Sequence, residues 1–261
     1  VTFITFDIET ATPAPDDRAG SYDLGVTCAA TSVGRDDAYE TQAWCGDSLL
    51  RGYGPYAARM GAAHVGKLVK WLLARSRNST VVGWNALGFD FRVLWHSAPA
   101  EMQSDIVQMA LDSIDPFYQM VCERGYGIGL DTAAKGLGLK GKSEGMDGLK
   151  AIEMWQEDRD AQDQVLTYVE QDAEVTARVY RTILAAGRLT WVSRSGRTNA
   201  WSPILAVNGH DERRMLTVRE ASTRIPQPDT SWMSRPWDRE DFYGWTGWAP
   251  KVEGVGEVAL S

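Results

Sequence analysis

Three short segments, far apart along the chain, put carboxylates where neither a core nor a turn ordinarily wants them. In Phe6-Asp7-Ile8-Glu9-Thr10 two acids alternate with apolar residues. A strand turns successive side chains to opposite faces, so Asp7 and Glu9 share one. In Gly83-Trp84-Asn85-Ala86-Leu87-Gly88-Phe89-Asp90 a glycine-containing turn leads to an acid at the start of a helix; taken alone, Asp90 reads more readily as a helix N-cap than as a ligand. In the third segment, at about 100° per residue, Val165, Tyr168, Asp172, Val175, Thr176, Val179 and Ile183 fall in one narrow arc, opposite Glu170, Gln171, Glu174, Arg178 and Arg181. Asp172 therefore points inward, one turn after Tyr168. Ionised acids facing a dry interior need cations or strong hydrogen bonds to offset their desolvation. A divalent cation held by oxygen ligands meets that need.

These residues need a rigid frame. The opening Val1 to Glu9 is rich in β-branched and aromatic residues with apolar side chains on both faces, as in the centre of a sheet. Strand-like runs at Leu24 to Val33 and Tyr39 to Trp44 predict an antiparallel meander with it. Val65, Leu68, Val69, Leu72 and Leu73 have the spacing of one helical face. Ser79 to Trp84 reads as a fourth strand, followed by a helix beginning near Phe89, and two more helical pieces fit between Met102 and Cys122. Lys135 to Lys142 reads as a glycine-rich basic loop without the spacing of a nucleotide-binding P-loop. A long helix spans Asp163 to Ala186. This order predicts a mixed α/β sheet covered by helices.

Asp7-Ile-Glu9, then Asn85 with Phe89-Asp90, then Tyr168 and Asp172, in that order, resembles the DEDD superfamily of 3′-5′ exonucleases. With Tyr168 one turn before the last acid, and Thr167 where the other branch carries histidine, it is similar to the tyrosine-containing DEDDy branch, as in family B polymerase proofreading domains. The resemblance covers about residues 1–190. It implies an RNase H-like fold with a five-stranded mixed sheet flanked by helices, and two divalent metal ions, Mg²⁺ or Mn²⁺. Asp7, Glu9 and Asp172 would hold one ion and Asp7 with Asp90 the other, while Tyr168 would orient the attacking water. Asn85 and Phe89 would support the turn presenting Asp90. Of the segment that contacts the terminal nucleotide in relatives, only Thr10 is retained.

The bulk composition sets outer limits. The chain has 261 residues, 44% of them hydrophobic and 24% charged, enough for one full core and an appendage. No run approaches the roughly 18 apolar residues of a membrane span, and a cytoplasmic, non-membrane protein is expected. Cys28, Cys45 and Cys122 are scattered and odd in number, indicating thiols rather than disulfides or a zinc site. The formal net charge is −8, yet Val175 to His210 contains no acid and carries Arg178, Arg181, Arg188, Arg194 and Arg197. That window is a candidate nucleic-acid track, with Arg194, Lys140 and Lys142 the candidate backbone contacts.

Beyond about Ala200 the resemblance ends, and residues 191–261 read as a Trp-rich extension packed on the domain of residues 1–190. Six tryptophans lie there, Trp191, Trp201, Trp232, Trp237, Trp245 and Trp248. Packing is the simpler role for them, although Trp245 and Trp248 could instead stack on bases or meet a partner protein. The expectation is a metal-dependent exonuclease acting on single-stranded 3′ ends, DNA favoured over RNA, with room for a polymerase or helicase partner. An exoribonuclease with the same acids, a nucleic-acid-binding module with a vestigial site, and an RNase H-like endonuclease are the rivals; Tyr168 speaks against the last.

Overall fold

The structure is a computed structural model that describes residues 2–16, 20–35, 38–47, 54–141, 145–207 and 213–250. Its frame is a sheet in the order β3-β2-β1-β4. Strand β1 (Phe3–Thr10) pairs antiparallel with β2 (Val26–Arg35), which pairs antiparallel with β3 (Ala38–Cys45). After helix α1 (Ala62–Ser76) the chain returns as β4 (Thr80–Val82), parallel to β1. Helices α2 (Asp90–Ser97), α3 (Gln103–Asp112), α4 (Pro116–Arg124), α5 (Leu130–Gly136) and α6 (Gly148–Trp155) follow. The long α7 (Arg159–Ala186) precedes two hairpins, β5 (Leu189–Val192) with β6 (Thr198–Trp201) and β7 (Leu205–Val207) with β8 (Arg213–Met215). Helices α8 (Val218–Arg224) and α9 (Glu240–Tyr243) complete the described chain. No helix among the described residues is long and apolar enough to cross a membrane, and the three cysteines are free thiols.

The two faces of β1 divide the labour. Ile4, Phe6 and Ile8 enter the main core with Val65, Leu68 and Leu72 of α1 and Phe91 and Leu94 of α2. Phe3, Thr5, Asp7 and Glu9 occupy the opposite face, over which α7 runs. There Phe3 meets the Tyr180 ring edge-on at 5.1 Å, and the buried Thr5 hydroxyl donates to the Ala173 carbonyl at 2.6 Å. That single bond sets the register between β1 and α7, because Ala173 neighbours Asp172 and Thr5 lies two residues before Asp7 on the same face. Asp158 caps α7 by accepting from Ala161 N at 3.0 Å, so the helix starts at Arg159 rather than Asp163.

Two expectations need correction. The sheet holds four strands among the described residues, not five. Beyond β4, Ile114 makes one parallel bridge to Val82, through Ile114 N to Val81 O and Gly83 N to Ile114 O. Asp115 then caps α4 with Pro116 at its first turn, and proline's fixed φ turns the chain into a helix before a strand can grow. The segment from Lys135 to Lys142 begins as the last turn of α5 rather than as loop, with Gly136 pressed so closely on β5 that an added Cβ would lie 1.8 Å from the Thr190 carbonyl oxygen.

The C-terminal segments join the same core. Leu216, Val218, Ala221, Ile225 and Phe242 are buried in the cluster built on α1 and α2. The Thr217–Glu220 capping box starts α8, and Arg214 forks onto Glu220, which holds the Glu220 carboxyl down at about 2.

Candidate active site

Strand β1 outruns its neighbour. Phe3, Ile4 and Thr5 pair with β4, which ends at Val82, so the β4-side edge of β1 beyond Thr5 is open to another partner. The turn after β4 fills that space. Asp90, the first residue of α2 and only 5% exposed, accepts the Ile8 N–H on its Oδ1 at 3.2 Å. Its carboxylate stands beside β1 between Asp7 and Glu9.

The turn that delivers it is held from behind. Asn85 adopts φ of 64°, a left-handed conformation that asparagine tolerates better than most residues. Asp115 is fully buried and accepts from Asn85 N at 2.9 Å, Leu87 N at 3.0 Å and Tyr118 N at 3.1 Å. Burial pushes its carboxyl up to about 6, while the backbone N–H groups of Leu87, Tyr118, Asn85 and Phe117 pull the other way. Sequence reading missed this residue, because Asp-Pro at a helix start signals a cap and nothing more.

Asp7, Glu9 and Asp172 each offer one carboxylate oxygen, and these oxygens lie within 4.8 Å of one another. Oxygens on a single hard cation, at about 2.0–2.6 Å each, are separated by no more than about 5 Å, so the trio fits one such ion. Glu9 is 7% exposed and Asp172 wholly buried. An open cleft of about 570 Å³ is lined by Asp7, Glu9, Thr10, Asn85, Phe89, Asp90 and Tyr168. Its further wall comes from Trp84 and from Asp147, Leu149 and Ile152 around the start of α6. That wall was not legible in the residues, because α6 is a short helix behind a glycine-rich stretch. Cys28, opposite Glu9 in the sheet, is held as a thiol by burial and by the Glu9 charge.

Other candidates lie elsewhere. Lys140 is exposed and does not line the cleft; Lys142 lies outside the described residues. Arg194 is exposed in the turn between β5 and β6, and Arg178 pairs with Glu174. Trp191 and Trp201 are buried, and Trp201 donates to Glu123 at 2.8 Å. Trp232 is 69% exposed. Neither Trp245 nor Trp248 lines the cleft. Trp245 donates to the Leu87 carbonyl at 2.9 Å, and Trp248 packs against Tyr243.

Residues 59–184 match the family model of the RNase_H superfamily. Over that span, 126 of the 261 residues, the fold is RNase H-like. The match takes in Asp90, Tyr168 and Asp172, and β1 with Asp7 and Glu9 precedes it. The RNase H-like domain is also similar to solved structures of exonuclease I. One, of the apo protein, has a TM-score of 0.35 and 15% identity over 70% of this chain and 42% of that one. A product-bound structure has a TM-score of 0.38 and 14% identity over 84% and 64% of the two chains. A zinc-bound Escherichia coli complex with single-stranded DNA has a TM-score of 0.34 and 13% identity over 78% and 51%. The chain thus spans about two fifths to two thirds of their length. Among curated proteins there is no match.

Proposed function

We propose that the chain is a divalent-metal-dependent 3′-5′ exonuclease of the tyrosine-containing branch, shortening single-stranded DNA to nucleoside 5′-monophosphates. The observation that carries this reading is the oxygen trio of Asp7, Glu9 and the buried Asp172, of which Asp7 and Glu9 line a cleft together with Asp90 and Tyr168. Asp7, Glu9 and Asp172 would hold one Mg²⁺ or Mn²⁺, and Asp7 with Asp90 a second. Bound there, the ions supply a hydroxide near neutral pH and offset charge on the scissile phosphate. Tyr168, one turn before Asp172, hydrogen-bonds the attacking water and aims it at the terminal phosphorus. A new P–O bond forms from that water as its proton passes to solvent, the bond to the 3′ oxygen breaks on the opposite side, and the departing oxygen takes a proton from solvent. Phe89, Trp84, Leu149 and Ile152 offer apolar faces to a terminal base, and Thr10 and Asn85 offer polar ones.

The test is incubation with 5′-labelled single-stranded DNA, and with matching RNA, in Mg²⁺, Mn²⁺ or chelator. The expected result is a DNA ladder that shortens from the 3′ end and disappears with chelator. Preference for RNA would move the assignment to an exoribonuclease, and binding without cleavage would make the site vestigial. Within this reading, Tyr168→Phe should lower kcat about 100-fold with KM and Mn²⁺ affinity unchanged, since a hydroxyl is lost and no ligand is. A loss of Mn²⁺ affinity, read by titration, would show that Tyr168 acts on the metal set instead.

A further inference from the structure

The peptide of Leu87, three residues before Asp90, is gripped from both sides. Its N–H donates to Asp115 at 3.0 Å, and its carbonyl accepts the Trp245 indole N–H at 2.9 Å. That carbonyl is turned aside from the start of α2, for Phe91 N bonds to Ala86 O instead. The next residue, Gly88, lies so close to Phe242 that an added Cβ would meet its ring at 2.8 Å. Phe242 is completely buried and packs on Phe117, Tyr118 and Trp237. Trp245 also meets the Trp95 ring of α2 at 6.3 Å. One edge of the Asn85–Asp90 turn is therefore built by residues some 150 positions further along the chain.

We infer that the segment carrying Phe242 and Trp245 positions Asp90, with Trp245 fixing the Leu87 carbonyl and Phe242 closing the space behind Gly88, so that the C-terminal region sets the affinity of the Asp90 side of the metal site. This rests on the reading of the acids as metal ligands. Positioning is demanding there, because Asp90 reaches the site from a different element than Asp7, Glu9 and Asp172. A turn free to shift would carry its carboxylate off the Ile8 amide and away from Asp7. Groups that orient a ligand without touching the metal are typically worth about 10- to 100-fold in affinity or activity.

The experiment uses the full chain with Trp245→Phe, which keeps a ring and removes the donor, and Trp201→Phe as a control that loses an indole bond far from the turn. Mn²⁺ binding is measured by titration with electron paramagnetic resonance, alongside kcat, KM and Tm. Trp245→Phe should weaken the second Mn²⁺ about 10-fold and lower kcat with KM unchanged, whereas Trp201→Phe should change Tm alone. On an Asp90→Asn background Trp245→Phe should have no further effect on Mn²⁺ binding or kcat, because the group it positions has gone. Should Trp245→Phe itself fold poorly, Gly88→Ala, which pushes the Phe242 ring from the other side, should give the same loss. Unchanged binding in both variants, or an effect that persists without Asp90, would overturn the inference while leaving the acids as ligands. A wild-type chain that holds no Mn²⁺ would overturn the reading of the acids, and this inference with it.

Discussion

Asp7→Asn should reduce cleavage by more than about 10³-fold, roughly 4 kcal/mol of transition-state stabilisation, while raising Tm in metal-free buffer. The two effects share a cause. On the proposed function Asp7 serves both ions, so its loss would disable both positions. Without cations, however, three carboxylate oxygens within 4.8 Å of each other repel in a half-dry site, and neutralising one relieves the native state. Each kcal/mol so gained corresponds to about 2–4 °C in a protein of this size. Mn²⁺ should raise the Tm of the wild type, because it binds the folded chain, and should do so far less for the variant. Thermal scans with and without Mn²⁺, beside the labelled-strand assay, read all three results. An active Asp7→Asn, or one with a lower metal-free Tm, would show that the trio is a structural polar cluster.

Asp115→Asn should be the most damaging substitution outside the cleft. The amide can accept on one atom only, so either Leu87 N or the Asn85 and Tyr118 amides face an N–H donor, and a buried donor left without its acceptor costs about 1–3 kcal/mol. The turn should loosen and kcat should fall, because Asp90 is delivered by that turn. The cost should also depend on pH. The Asp115 carboxyl sits at about 6 in the folded chain against 3.8 unfolded, so the folded state holds the proton more tightly. The associated stability, about 3 kcal/mol at most, is complete below pH 4 and lost as pH rises through about 6. Wild type should thus exceed Asp115→Asn by most at low pH, with the gap narrowing toward neutrality. Denaturant titrations at pH 4, 5, 6 and 7 measure it, and a gap that widened with pH would show the ionised carboxylate to be the favoured form.

The parts of the molecule that could be read from its residues are those governed by one periodicity. Alternation in β1 puts Asp7 and Glu9 on one face, and the wheel of α7 turns Tyr168 and Asp172 inward, where both are buried. Short helices escaped. Helix α6 has eight residues, too few to establish a face, and its Asp147 cap follows a run of glycines and charges. Asp115 was illegible for another reason. Its partners Asn85 and Leu87 lie about 30 positions away, and nothing local distinguishes a cap that also holds a distant turn. The Trp245 bond to Leu87 is longer-range still. Such contacts depend on how finished elements pack, which no window of sequence contains.

The hydrogen bond from Thr5 to Ala173 joins residues 168 positions apart. The acid trio has nearly the same span, so no part of the growing polypeptide holds the trio until α7 has left the ribosome and docked on β1. Contacts this distant form late and slowly, after local helices and hairpins. On the proposed function, that order is protective. A nascent or truncated product ending before Asp172 would carry Asp7, Glu9 and Asp90 without the residue that completes the trio, and would leave its place of synthesis unarmed.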